Sequence, residues 1–449
     1  MFVRIEAIKI KNFKGINDGE VSFSENSFLS IKDFDVDYSS ILGIYGQNGS
    51  GKTAIIDALR IIKYLTSGEI LPNNIKDYIS TGFTSSSIEI SFLIEDVKKY
   101  YCIYNIEFSN INNALKITSE KISYFDNVDK SMIHLYDYNI NRVAKITGSL
   151  FKNLDKNEQF ALSFNVLNNY NSNDQKSTIF NKTIIDTFNK GKNIQKDYFN
   201  LLNNIMTFSK MYLAIYQISY FDNNSNFGIR MRLSEFDNKN IQCKDSFIPF
   251  SKASISKFYF ESFKLIIDKM NIVMDKIIPS YKIIINEPTD ILLPDGTYVS
   301  FNLLVNKNDT TYDIQYESNG IKKIISILSG YIDAFNNEGT CIVIDEFDSG
   351  VFEYLFGELL YAFEELGSGQ LIFTSHNLRP LEKLSYKNLF FTTLDKYNKY
   401  SRIKGVKETT NLRDKYYRLL YSSPDTKYYD YVKTNDLIEN LVIGGDKVD

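Results

Sequence analysis

The chain has 449 residues, too many for one compact core and enough for two or three domains. Hydrophobic residues make up 43% and charged residues 24%, and a formal net charge of -4 gives no overall positive field to advertise a nucleic-acid partner. Cys102, Cys243 and Cys341 are too scattered for a disulfide framework or a Cys-x-x-Cys metal pair, and no run of about 18 apolar residues is there to span a membrane. The stretch Met-Phe-Val-Arg-Ile-Glu-Ala carries charges inside its apolar run, unlike a signal peptide, so a reducing cytoplasm is the expected compartment.

Residues 2–10 (FVRIEAIKI) alternate with the period of a strand, and the turn sequence KNFKG follows at 11–15. A second short strand is expected near 19–23. The apolar run SILGIY at 40–45 leads into glycine-rich sequence, and 53–65 has helical periodicity, which together read as strand, loop, helix. Residues 86–108 alternate over two strands split by the polar 96–99. Beyond about residue 123 the chain turns rich in Asn, Lys and Asp, with helical stretches at 197–213 and 252–278. The spacing predicts a helical insertion over 125–280, too short for a long coiled-coil arm and without sustained heptads. The strand pattern returns in YKIIINE, TYVSFNLLV and TYDIQYE. A long helix is then expected over 319–336, a buried parallel-type strand at 340–344, a helix at 351–366, and strands at 369–374 and 388–393. The expected division is a first lobe over 1–124, the insertion over 125–280, a second lobe over 281–395, and a polar, tyrosine-rich extension over 396–449.

The sharpest chemical signal is Gly46, Gln47, Asn48, Gly49, Ser50, Gly51, Lys52 and Thr53, which fits G-x-x-x-x-G-K-[ST] without mismatch. Glycines let successive backbone N–H groups turn inward around a phosphate, and the following helix offers its N-terminus to the same anion. Lys52 is expected on the β- and γ-phosphates, and the Thr53 hydroxyl on Mg²⁺. The run Cys-Ile-Val-Ile at 341–344 ends in two acids. Asp345 would support the metal and Glu346 would polarise an attacking water. His376 closes the next apolar strand, within reach of a γ-phosphate; the other histidine, His134, is read as an ordinary loop residue of the insertion. Ser318 precedes the long helix. It is either a plain N-cap or, with the first helical N–H groups, a second anion site. Because the P-loop already holds one phosphate group, that second site would serve a partner molecule.

These four elements in this order resemble the ABC class of ATPases. Within it the chain is similar to AAA-family ATP-binding proteins related to the structural-maintenance-of-chromosomes, RecF and OLD groups. The segment Lys11-Asn-Phe-Lys-Gly15 resembles their Asn-Phe-Arg/Lys start, which puts Lys14 at the nucleotide. Ser318, Asn319 and Gly320 resemble the short Ser-x-Gly signature, Asp345 and Glu346 the Walker B pair, Asp348 with its neighbours the D-loop, and His376 the switch histidine. No Q-loop glutamine stands out; Glu120 falls near its place and is assigned the metal-side role. The resemblance implies an α/β fold: an ABC-type P-loop ATPase head, with a mixed sheet and a parallel P-loop sheet, split by the insertion. It implies ATP and Mg²⁺ as cofactors. It also implies a homodimer in which two heads sandwich two nucleotides, each site being completed by the partner's Ser318 region and Asp348. Larger assemblies can be built from such a pair.

No carboxylate cluster of a Toprim nuclease follows His376, and the segment from Asp348 onward looks most like bacterial phage-defence ATPases that act beside a separate effector, a Toprim-type or other nuclease or a toxin. The leading expectation is therefore an ATPase whose head closure controls an effector. The alternative is a DNA repair or maintenance ATPase of the RecF type that contacts DNA directly.

Overall fold

The computed structural model describes residues 2–24, 40–96, 99–126, 131–140, 146–147, 175–181, 185, 193–217, 227–237, 240–294, 296–403, 405–406 and 411–422. The chain begins with β1 (Phe2–Phe13), β2 (Ile16–Ser22), β3 (Ile41–Tyr45) and α1 (Lys52–Thr66). A run of strands follows: β4 (Ser85–Glu95), β5 (Lys99–Ile111), β6 (Ala114–Asp126), β7 (Ile133–Asn139) and β8 (Ile146–Thr147). Helix α2 (Asn193–Thr207) passes through one π-helical turn, Phe208–Tyr212, into β9 (Leu213–Tyr216). Then come β10 (Gly228–Asp237), β11 (Asn240–Pro249), β12 (Ala253–Ser256), α3 (Lys257–Ile277), β13 (Tyr281–Leu293), β14 (Gly296–Lys307) and β15 (Thr310–Asp313). The last part holds α4 (Asn319–Asn336), β16 (Cys341–Ile344), α5 (Glu353–Leu366), β17 (Gln370–Ser375), β18 (Leu389–Thr392), β19 (Tyr400–Ser401) and α6 (Leu412–Ser422).

The class is α/β, as expected. One sheet is an antiparallel array in the order β2-β1-β4-β5-β6-β7-β8. The other large sheet has the order β19-β18-β3-β17-β16-β9, and every pair in it is parallel except β18 with β19. Strands β12, β14 and β13 form a smaller sheet with β15 on β14, and β10 pairs with β11 as a hairpin.

The parallel sheet is buried on both faces, which is why its strands read as unbroken apolar runs. Side chains alternate between two cores with period 2. Leu42, Ile44, Cys341, Val343 and Ile372 pack with α1 and the antiparallel sheet. Ile41, Tyr45, Ile342, Ile344, Leu371 and Phe373 face the other way, into a core shared with α3, α4 and α5. Helix α1 is held between the two large sheets by Ile55, Ile56, Leu59 and Ile62, all fully buried.

The insertion expected to be helical over 125–280 contains strands as well as helices. Strands β7 and β8 extend the antiparallel sheet, and β9 pairs in parallel with β16, as an edge of the P-loop sheet. The hairpin β10–β11 is also strand. The cause lies in the local pattern. Leu135, Tyr136 and Tyr138 are buried on β7 but sit among His, Asp and Asn, and four residues of β9 are too few to display a period. The expected helices are present, as α2 and α3. Residues 148–174 of the same stretch, and 423–449 of the expected tyrosine-rich extension, lie outside the described residues.

Glu6 on β1 is a carboxyl group only 1% exposed. Burial raises its pKa from 4.5 to about 7, against the pull of a hydrogen bond from the Ser24 amide at 3.3 Å. The native state therefore holds a proton between pH 4.5 and about 7 that the unfolded chain has released, and the stability this group contributes, complete below pH 4.5, is lost as pH rises through about 7. Glu6→Gln removes that dependence. Urea unfolding at a series of pH values should show the variant gaining on the unmodified chain across this window, by up to a few kcal/mol. A constant difference would contradict the assignment.

Candidate functional site

Parallel register brings the carboxyl ends of five strands, β3, β17, β18, β16 and β9, to one edge. Tyr45 pairs with Ser375 and Phe391, and Ile344 pairs with Phe373 and Tyr216. The residues that follow four of these strands, Gly46, Asp345, His376 and Gln217, are therefore neighbours although they come from distant parts of the chain. Ligands of open α/β sheets bind at such an edge.

The P-loop leaves β3 there. Gly49 and Gly51 adopt φ values of 74° and 99°, which side chains disfavour. A Cβ on Gly46 would come within 1.8 Å of the Thr392 hydroxyl. Ser50 accepts a hydrogen bond from Thr392 (2.8 Å), and Tyr400 donates to the Gly51 carbonyl (2.7 Å). The end of β18 and the start of β19 thus brace the loop. The Lys52 ammonium donates to the Gly46 and Gln47 carbonyls at 2.7 and 2.9 Å. Desolvation lowers its pKa, while Glu346, Asp348 and Asp345 oppose that shift, so the cation sits beside the acids it was expected to meet.

Thr53 and Asp345 are brought together, Oγ1 to Oδ1 at 3.4 Å. One hydroxyl organises both acids: Thr374 Oγ1 donates to Asp345 Oδ1 (2.5 Å) and accepts from the Glu346 amide (2.7 Å). Glu346 has φ +46°, a strained conformation for a residue with a side chain. Its carbonyl accepts from Lys323 of α4 at 2.5 Å, and that amine also reaches the Ser349 carbonyl at 3.2 Å. Burial brings the Lys323 pKa down to about 8, with Asp348, Glu346 and Asp345 opposing the shift.

Asp348 is 7% exposed, and its Oδ2 accepts from the amides of His376 (3.3 Å) and Asn377 (3.0 Å) and meets His376 Nδ1 at 3.2 Å. Within one head it therefore holds the His376 loop. Ser318 is the N-cap of α4 and accepts from the Ile321 amide at 3.3 Å. Its helix start is fixed to the Asp348 loop by close contact of two glycines: a Cβ on Gly320 would lie 2.4 Å from the Gly350 carbonyl. Ser318 and Gly350 are exposed, and so are Tyr316 (84%) and Phe352 (75%), two residues before the one and two after the other.

One expected site residue is elsewhere, and another is held by a carboxylate. Glu120 points into the antiparallel sheet. It lies on β6 opposite Ile106 and accepts from Tyr104 (2.8 Å), Ser177 and the Thr178 amide (3.0 Å). It is a satisfied buried carboxyl whose pKa is raised by desolvation, and it is not at the P-loop edge. Lys14 reaches α1 but is engaged by Asp57 and lies 4.5 Å from the centre of the Tyr78 ring.

Gln217, directly after β9, stands at the P-loop edge where Glu120 does not. The amide of Asp345 donates to the Tyr216 carbonyl at 2.8 Å, which fixes the two strand ends side by side. Gln217 is 3% exposed, its Nε2 donates to Asp57 Oδ1 (2.9 Å), and its Oε1 is buried without a partner among the described residues. Asp348 Oδ1 is likewise buried and unpartnered. The donor set fits Mg²⁺, which takes one or two carboxylates and completes its shell with phosphate and water. Among the described residues no group of three or more His, Cys, Asp or Glu forms a separate metal site, and no helix is long and apolar enough to cross a membrane.

A family model described as "AAA domain" matches residues 7–277. No curated protein matches the chain. Among solved structures, the chain is similar to a Smc head domain with an extended coiled coil bound to the C-terminal domain of ScpA from Pyrococcus furiosus. Identity is 12%, coverage 93% of this chain and 98% of that one, and the TM-score 0.43. It is similar also to the SMC head domain from Thermotoga maritima, with 13% identity, 89% and 99% coverage and a TM-score of 0.38. A third is the recombination mediator protein RecF with ATP, with 12% identity, 90% and 99% coverage and a TM-score of 0.39.

Thr374→Val keeps the shape of the β17 tip but leaves the Glu346 amide without an acceptor. Urea unfolding should show a loss of about 1–3 kcal/mol. Nucleotide hydrolysis should fall at least tenfold while nucleotide affinity, read by a fluorescent analogue, changes little. Unaltered hydrolysis would show that Thr374 does not position the acids.

Proposed function

The chain belongs to the AAA-domain family and is an ATPase; from that premise we propose that its ATP site is shared between two copies, whose closure on ATP and release after hydrolysis control a separate effector protein. The observation that carries the reading is the division of the site into two surfaces. The P-loop, Asp345, Glu346 and His376 gather at one sheet edge. Ser318 and Gly350 form an exposed surface flanked by Tyr316 and Phe352, large aromatic side chains that gain by burial against a partner.

In this reading Lys52 and the loop amides hold the β- and γ-phosphates. Thr53, Asp345 and Gln217 hold Mg²⁺, which when bound neutralises phosphate charge. Glu346 polarises the attacking water by accepting a hydrogen bond from it, its carboxylate aimed by the Thr374 and Lys323 contacts to its backbone. His376, carried by Asp348, contacts the γ-phosphate and reports its loss to the exposed surface. The Ser318 hydroxyl and the first amides of α4 approach the partner's γ-phosphate. The first lobe extends through residue 217, because β9 is part of the P-loop sheet, and residues 281–395 form the second.

The effector is proposed to be a nuclease or toxin and the setting bacterial phage defence. Support for this comes from the sequence resemblance of the segment beginning at Asp348.

Glu346→Gln should bind ATP, hydrolyse it at least a hundredfold more slowly, and accumulate as a dimer in light scattering only when ATP and Mg²⁺ are present. Lys52→Ala should bind and dimerise in neither condition. A Glu346→Gln chain that stays monomeric with saturating ATP would remove the shared-site reading. Unchanged turnover in Lys52→Ala would remove the assignment of the P-loop itself.

A further inference from the structure

Asp57 lies on α1 one turn beyond Thr53, on the same face of the helix. It is 3% exposed and is surrounded by donors. Oδ2 takes the Lys14 ammonium, and Oδ1 takes Arg60 at 2.9 Å and the Gln217 amide nitrogen at 2.9 Å. Lys14 comes from a turn with positive φ at Asn12, Lys14 and Gly15, which backbone hydrogen bonds to Tyr78 and Ser80 hold in place. Lys14 is thus committed to a carboxylate, which the expected role at the nucleotide does not explain.

An ionised carboxylate only accepts hydrogen bonds, so the edge of the Gln217 amide that faces Asp57 must be its NH₂. The oxygen is then forced to the opposite side. That oxygen is the buried atom without a partner, and Gln217 sits between α1 and the Asp345 strand end. We propose that Asp57 is a positioning residue: it fixes the Gln217 amide so that Oε1 is presented to the Thr53–Asp345 cleft as an acceptor for the cation that accompanies the nucleotide. Lys14 and Arg60 hold the Asp57 carboxylate in place. The inference rests on the ATPase reading of the site and assigns the Lys14 turn to the metal side of it.

The test is Mn²⁺ binding to the full chain with a non-hydrolysable ATP analogue, followed by electron paramagnetic resonance, beside analogue binding in EDTA. Asp57→Asn lets the amide turn over and should weaken Mn²⁺ affinity by roughly 10- to 100-fold, the usual effect of losing a group that orients a ligand. Analogue affinity in EDTA should stay within a few-fold. Gln217→Ala should show the same Mn²⁺ loss, and the double variant Asp57→Asn/Gln217→Ala should be no worse than either alone, since both act through one contact. Asp57→Asn/Lys14→Met, which cancels the charge change, should remain weak. Wild-type Mn²⁺ affinity in Asp57→Asn, restoration in Asp57→Asn/Lys14→Met, or full additivity of Asp57→Asn with Gln217→Ala would overturn the inference. Gln217→Ala is the informative variant if Asp57→Asn does not fold, and wild-type Mn²⁺ affinity in it is equally contrary. Failure of the unmodified chain to bind the analogue in EDTA would instead remove the ATPase reading.

Discussion

Parallel hydrogen bonding of β3, β17, β16 and β9 is the constraint on which the site depends. Neighbours in a parallel sheet must end on the same side, so the P-loop, the two acids, His376 and Gln217 converge because their strands pair. No long side chain has to reach across the molecule. The apolar faces of the same strands supply the two cores, so the geometry of the site and the stability of the fold share one cause.

On that edge, short polar links do the alignment. Thr374 joins two adjacent acids, Lys323 ties Glu346 to the helix that begins at Ser318, and the Gly320–Gly350 contact joins that helix to the Asp348 loop. The backbone strain at Glu346 persists because contacts on both sides of the peptide over-determine it. A displacement of the Ser318 surface is therefore mechanically connected to the acids of the same head. In the shared-site account, that connection links the partner's nucleotide to this head's hydrolysis.

The parts legible in the sequence were those whose residues are contiguous. The P-loop and the Asp345-Glu346 pair each follow an apolar run, and the boundaries of α4 matched because Ser318 caps the helix by an ordinary local bond. Gln217 was not legible. Its strand has four residues, too few to display a period, and gains its meaning only from pairing with β16 more than a hundred residues away. Glu120 was misplaced for a related reason: the alternation in β6 marks a fifth strand of the antiparallel sheet, and the carboxylate falls on its buried face between Tyr104 and Ser177. The role of Thr374 was hidden too, because its two bonds cross between parallel strands.

The central claim is that the P-loop is one face of a site finished by another copy. The direct measurement is ATP turnover when Ser318→Arg and Lys52→Ala chains, each inactive alone, are mixed. One keeps a sound P-loop and the other a sound Ser318 surface, so a mixed pair contains one complete site. With random pairing of equal amounts, about a quarter of the unmodified activity is expected. Turnover no greater than the sum of the separate chains would contradict the claim.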